Sequence, residues 1–151
     1  MANVVYSRGQ YALGQGRLTT SANLQVMLVT TAYVANMDHN TVDDGTTSDP
    51  ASYEISVSGY ARQQLASLTL TEDDTNDCAY FDAADTTFQT LAAGQTVGGA
   101  VVYIYSSSGG TTSDTGQDLA TFLSLTPTPC NGGNITIVYS TAGIIRIGTT
   151  S

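Results

Sequence analysis

The chain has 151 residues, with 13 acidic side chains against four basic ones, all arginine (Arg8, Arg17, Arg62, Arg146), and a net charge of −9. Such a surface repels a phosphate backbone, which excludes nucleic acid as a partner. A hydrophobic fraction of 41% with nine tyrosines excludes a disordered chain, and the length suits one domain that needs no disulfide or metal to fold.

Charged residues make up only 11% of the chain, and 24 Thr, 14 Ser and 15 Gly take their place. The first residues lack the basic stretch and long apolar core of a secretory leader. The longest apolar run, 100–105, is far too short to span a bilayer. Synthesis in a cytoplasm, with no membrane partner, is therefore expected.

Residues 1–20 carry Arg8 and Arg17 and no acid, whereas 21–151 carry Arg62, Arg146 and all 13 acids, so a +2 segment precedes a −11 body. The segment also holds Gly9, Gly14 and Gly16 with Tyr6 and Tyr11. It reads either as a fraying terminus or edge strand, or as an extended arm that docks on a partner. In the second reading Tyr6, Arg8, Tyr11 and Arg17 are the contact residues, since tyrosine and arginine are enriched at interfaces. Removing 1–20 is then expected to leave the domain folded and to weaken docking.

Leu24-Gln25-Val26-Met27-Leu28-Val29-Thr30 reads as a buried strand. Residues 31–52 form a long acidic surface loop with room for a short helical turn. Alternation at 53–57, 60–65 and 68–70 predicts strands, and 72–77 is a turn by composition. Strands follow at 78–82 and 86–88. Residues 97–105 predict a central strand with a bulge or a close backbone approach at Gly98-Gly99. Residues 106–116 are expected to be a mobile polar loop. A strand at 119–125 should end at Pro127 and Pro129, Asn131-Gly132-Gly133 turns into a strand over 134–140, and Gly143 precedes another at 144–147. With few helix formers and no sustained helical period, the expected fold is all-β. It is a single antiparallel β-sandwich or jelly-roll-like domain of about eight strands over 21–151, behind the arm or edge strand of 1–20.

Chemistry-bearing residues are sparse. His39 is the only histidine, sits in an acidic loop, and is expected to face solvent; no Gly-x-Ser-x-Gly elbow accompanies it. Asp73-Asp74-Thr75-Asn76-Asp77 opens like a calcium loop, but Cys78 and Ala84 stand where the glycine and glutamate belong, which favours a polar hairpin turn. Asp82 and Asp85 have the residue type of a glycosidase pair, yet strand alternation and capping explain them equally well. Cys78 and Cys130 read as small buried hydrophobes in a cytoplasmic product rather than a bridge. A non-enzyme without cofactor or metal is expected.

Several strings carry a resemblance in order and spacing. They are Val26-Met27-Leu28-Val29 with Tyr33, Ser58-Gly59-Tyr60-Ala61-Arg62-Gln63-Gln64-Leu65, and Phe81-Asp82-Ala83-Ala84-Asp85 before Thr87-Phe88. Gly98-Gly99-Ala100-Val101-Val102-Tyr103, Phe122-Leu123-Ser124-Leu125, Asn131-Gly132-Gly133 with Ile135-Thr136-Ile137, and Gly143-Ile144-Ile145 continue it. Over most of 24–147 the chain resembles small structural proteins of tailed bacteriophages, of the head decoration or capsid cement kind. The resemblance implies a virion component on the outer capsid surface, a homotrimer that binds the major capsid protein and stabilises the head. A tail or baseplate adhesion module binding a host-surface glycan or protein is the alternative. The long loops, 36–52 and 106–117, carry no aromatic side chain, which counts against it.

Overall fold

Ten antiparallel strands and one short helix build an all-β, sandwich-like fold in the computed structural model, which describes residues 3–106, 113–141 and 143–148. In chain order these are β1 (Val4–Val5), α1 (Ser7–Gly14), β2 (Leu24–Thr30), β3 (Gln63–Gln64), β4 (Thr69–Asp73), β5 (Cys78–Asp82), β6 (Thr86–Phe88), β7 (Thr96–Ile104), β8 (Asp118–Pro129), β9 (Ile135–Ile137) and β10 (Ile145–Gly148). They form a large sheet ordered β1-β8-β7-β2-β3, a second sheet ordered β10-β5-β4, and the pair β6-β9.

The long apolar runs of β2, β7 and β8 follow from burial of the large sheet on both faces. One face sends Val26, Leu28, Ala100, Val102 and Ala120 into a core shared with Phe81 and Ile145 of the second sheet, Phe88 and Ile137 of the pair, and Ala12 and Leu18 near α1. The other face sends out Met27, Val29, Val101, Leu119 and Phe122, and is covered by Tyr6, Tyr33 and Val42. Each fully buried large side chain contributes about 1.5–3 kcal/mol. The loop over 31–53 is thus a third layer anchored from beneath, and its short helical turn is Pro50–Tyr53, capped by the Asp49 carboxylate.

The expected strands at 78–82 and 86–88 occupy β5 and β6, and 24–30 occupies β2. The glycine pair in β7 marks a register shift between Val97 and Gly99. A β-carbon on Gly98 would lie 2.5 Å from Thr31 Cα, and one on Gly99 2.3 Å from the Phe122 ring, so both neighbours depend on missing side chains. Of the loop expected over 106–116, residues 107–112 lie outside the described residues.

Three expectations need correction. Residues 53–57 do not form a strand: only Glu54 bridges to Val29, and Ile55 N–H donates to Leu28 O, before the chain turns away. The Tyr60 hydroxyl takes the next place on this edge, accepting from Leu28 N–H at 3.0 Å, and β3 resumes the pairing at Gln63. Strand β8 does not stop at its prolines, because β1 pairs with it only at Thr121 and Phe122. Past Phe122 the Ser124 N–H still donates to Asn3 Oδ1 at 3.2 Å, but no strand among the described residues pairs with the outer edge at Pro127 or Pro129, where a proline forfeits no ladder bond. Finally, 7–14 is a helix.

Candidate interaction surfaces

Helix α1 forms from a sequence with two glycines and no side-chain N-cap, so docking rather than propensity holds it. Gly9 rests on the Ala120 carbonyl and Ala12 is fully buried. Gly16, at φ +69, ends the helix in a Schellman turn, with Gly16 N–H on Leu13 O and Arg17 N–H on Ala12 O. Asp118, only 5% exposed on β8, then ties down both ends of the segment. It accepts from Arg8 Nε at 2.9 Å and from Arg17 Nη1.

These contacts locate the four residues expected to meet a partner. Tyr6 is in the interior at 0% exposure, its hydroxyl 2.6 Å from that of Tyr33, and burial pushes its ionisation well above the usual tyrosine range. Arg8 and Arg17 are partly exposed but engaged with Asp118. Tyr11 alone projects freely, 55% exposed, with the Arg8 guanidinium 5.5 Å from its ring centroid. Residues 1–20, as far as described, are an edge strand and a docked helix with core side chains, not a detached arm.

The outer loop layer is also pinned from within. Tyr33, buried and pushed up to about 12 by desolvation, joins Tyr6 to His39 Nδ1 at 3.4 Å, and His39 Nε2 lies 3.4 Å from Ser48 Oγ. His39 is only 5% exposed, which overturns the solvent-facing expectation; the tyrosine beneath it and the serine above it close the site. Through these two contacts the ring ties the loop layer to the core tyrosines. Above these anchors the layer holds out Val34 at 70% exposure and Met37 at 47%. Met37 O accepts from Ser7 N–H, which places this surface beside the start of α1.

A second clamp crosses the same face of the large sheet. Arg62 grips Glu54 through Nε and Nη2 and Asp114 through both terminal nitrogens, at 2.6–2.8 Å, while sitting over the Tyr103 ring. Burial opposes its charge, but the two carboxylates outweigh that and hold the guanidinium protonated. Arg62 was legible only as a member of the -Gly-Tyr-Ala-Arg- string; no local pattern announced partners eight and 52 residues away.

On the far side of α1 the second sheet overhangs the core. Its inner face starts buried at Phe81 and Ile145 and runs out to Ala79, Ile147 and Glu72. Two hollows of about 320 and 710 Å³ adjoin at Ile147. The first lies between Leu13 and β10; the second, under the hairpin end, is lined by Leu70 and rimmed by Glu72, Asp74 and Asp77. Asp73 at this turn accepts from the side chain of Asn76 and is held below the usual carboxylate range, so it is a hairpin cap. Asp82 and Asp85 accept from the backbone of Ala83 and Tyr139. Cys78 and Cys130 are free thiols, the second pushed up by burial.

Among the described residues no helix is long and apolar enough to cross a membrane. Comparison with protein family models, curated proteins and solved structures returned no match.

Proposed function

We propose that the protein is a head decoration protein of a tailed bacteriophage, a homotrimer that binds the outer surface of the major capsid shell and stabilises it without catalysis. The ordered strings set out above support this reading. The observation that carries it is the pair Val34 and Met37, held outward by a loop layer whose own anchors, Tyr33, His39 and Val42, are buried. An apolar contact presented on a rigid support loses little conformational entropy on binding, which is what a protein cementing a stiff shell requires. The acidic surface keeps many copies soluble and apart from packaged DNA. Interfaces of about 800 Å² per partner suffice for specificity, and repetition over the shell adds avidity.

The reading is tested by co-sedimentation of purified protein with particles that lack it. The wild-type protein is expected to load onto shells, and a Val34→Asp, Met37→Asp double variant to load at least about tenfold less, since it would bury unpaired charge. Equal loading of both proteins would contradict the assignment of this surface. Sedimentation with host cells instead of shells would favour the adhesion module.

A further inference from the structure

The trough under the second sheet and the outer side of α1 are complementary surfaces on one molecule. The trough has an apolar floor (Leu13, Ile147, Ala79, Leu70) and an acidic rim (Glu72, Asp73, Asp74, Asp77), four carboxylates against the one basic residue, Arg146, that lines its inner hollow. Leu70, 53% exposed on the edge strand β4, is its least covered apolar side chain. On the outer side of α1, Tyr11 stands beside Arg8, whose guanidinium lies 5.5 Å from its ring centroid, and Arg8 and Arg17 together share the single buried carboxylate of Asp118. Gly9 and Leu13 face the protomer's own trough while Arg8 and Tyr11 lie on the opposite side of the helix, so one copy offers both surfaces at once.

We infer that Tyr11 of one copy, with Arg8 and Arg17, seats in the trough of a neighbouring copy, its ring on Leu70 and Ile147 and the arginines on the acidic rim. Charge selects this occupant. A trough-to-trough contact would bring two acidic rims together, and most of the remaining surface belongs to the −11 body. The α1 surface presents Arg8 and Arg17, two partly exposed guanidiniums that share one carboxylate, with the exposed Tyr11 ring beside Arg8. The contact is heterologous, joining unlike surfaces, and such contacts repeat into closed rings when the rotation closes. The contact itself needs no shell; its ring size of three rests on the decoration reading above. It reassigns Tyr11, Arg8 and Arg17 from the shell to the neighbour, and because Met37 adjoins α1 the joint between copies lies next to the shell-facing surface.

The experiment is light scattering on size-fractionated protein, with Tyr11→Asp and Leu70→Asp variants alone and mixed. Wild type is expected near 47 kDa, about three times the 15.7 kDa chain, and each variant at one chain. Both substituted residues are more than half exposed, and matching circular dichroism would establish that the variants are folded. Mixed in equal amounts, the variants retain one competent pairing, so the mixture should form a dimer that grows no further. An exposed Asp74→Lys variant should lower the association constant and its dependence on salt. A monomeric wild type, variants of wild-type mass, or a mixture that stays monomeric would each overturn the contact. A ring that forms yet fails to load on shells would uphold the contact and remove the decoration reading.

Discussion

A β-carbon at Gly9 would stand 2.3 Å from the carbonyl oxygen of Ala120, so this glycine sets how closely α1 lies on β8. Alanine in a helix interior is ordinarily favoured over glycine by about 1 kcal/mol. Here the neighbour is backbone and cannot swing aside, so the sign reverses. Gly9→Ala is expected to destabilise the protein by about 1–3 kcal/mol in urea unfolding, and a stabilised variant would show that α1 is not docked as described. Buried tyrosines give a second residue-scale consequence. Tyr33 and Tyr139 are pushed up to about 12, mainly by burial, from the ordinary value near 10. Well below pH 10 both hydroxyls are protonated whether the chain is folded or not, and their contribution is intact. Between pH 10 and 12 the unfolded chain gives up protons that the folded chain retains, so stability falls, by up to about 3 kcal/mol for each. Urea midpoints should be flat below pH 9.5 and drop steeply above it; a flat profile to pH 12 would contradict the burial of these rings.

At the scale of elements, the N-terminal segment behaves as part of the core. Its removal takes away Tyr6 and Leu18, worth about 1.5–3 kcal/mol each, uncovers β8 and strands Asp118 without either arginine. Set against a total stability of about 5–15 kcal/mol, the loss is large. Deleting residues 1–20 is therefore expected to abolish cooperative thermal unfolding, the reverse of what the arm reading implied; a truncated chain with an unchanged melting temperature would restore that reading. Strands β2, β5 and β6 were legible because their signals are local: a continuous β-branched run, and alternation bounded by turn residues. Helix α1 was not, since its glycines and missing cap carry no helical signal and its reason for forming lies at Ala120 and Asp118. The prolines of β8 misled for a similar reason, because whether they end a strand depends on the pairing of its far edge. Of the interaction surfaces, the Arg-Tyr character of the first 20 residues was visible in composition. The burial of Tyr6, the relay through His39 and the overhang of the second sheet depend on contacts between distant segments and left no local trace.

Over the whole molecule, charge is organised rather than merely negative. Arg8 and Arg17 share the single carboxylate of Asp118 and leave net positive charge beside Tyr11, Arg62 is held between Glu54 and Asp114, and Glu72, Asp73, Asp74 and Asp77 gather at one rim. That distribution gives one protomer two unlike, complementary surfaces and a third, apolar one on the loop layer beside them. Such a layout suits a protein repeated many times on a lattice, where weak contacts act together. The most direct measurement is quantitative mass spectrometry of purified virions. A decoration protein should be present at a copy number comparable to that of the major capsid protein, whereas a handful of copies per particle would contradict the decoration role.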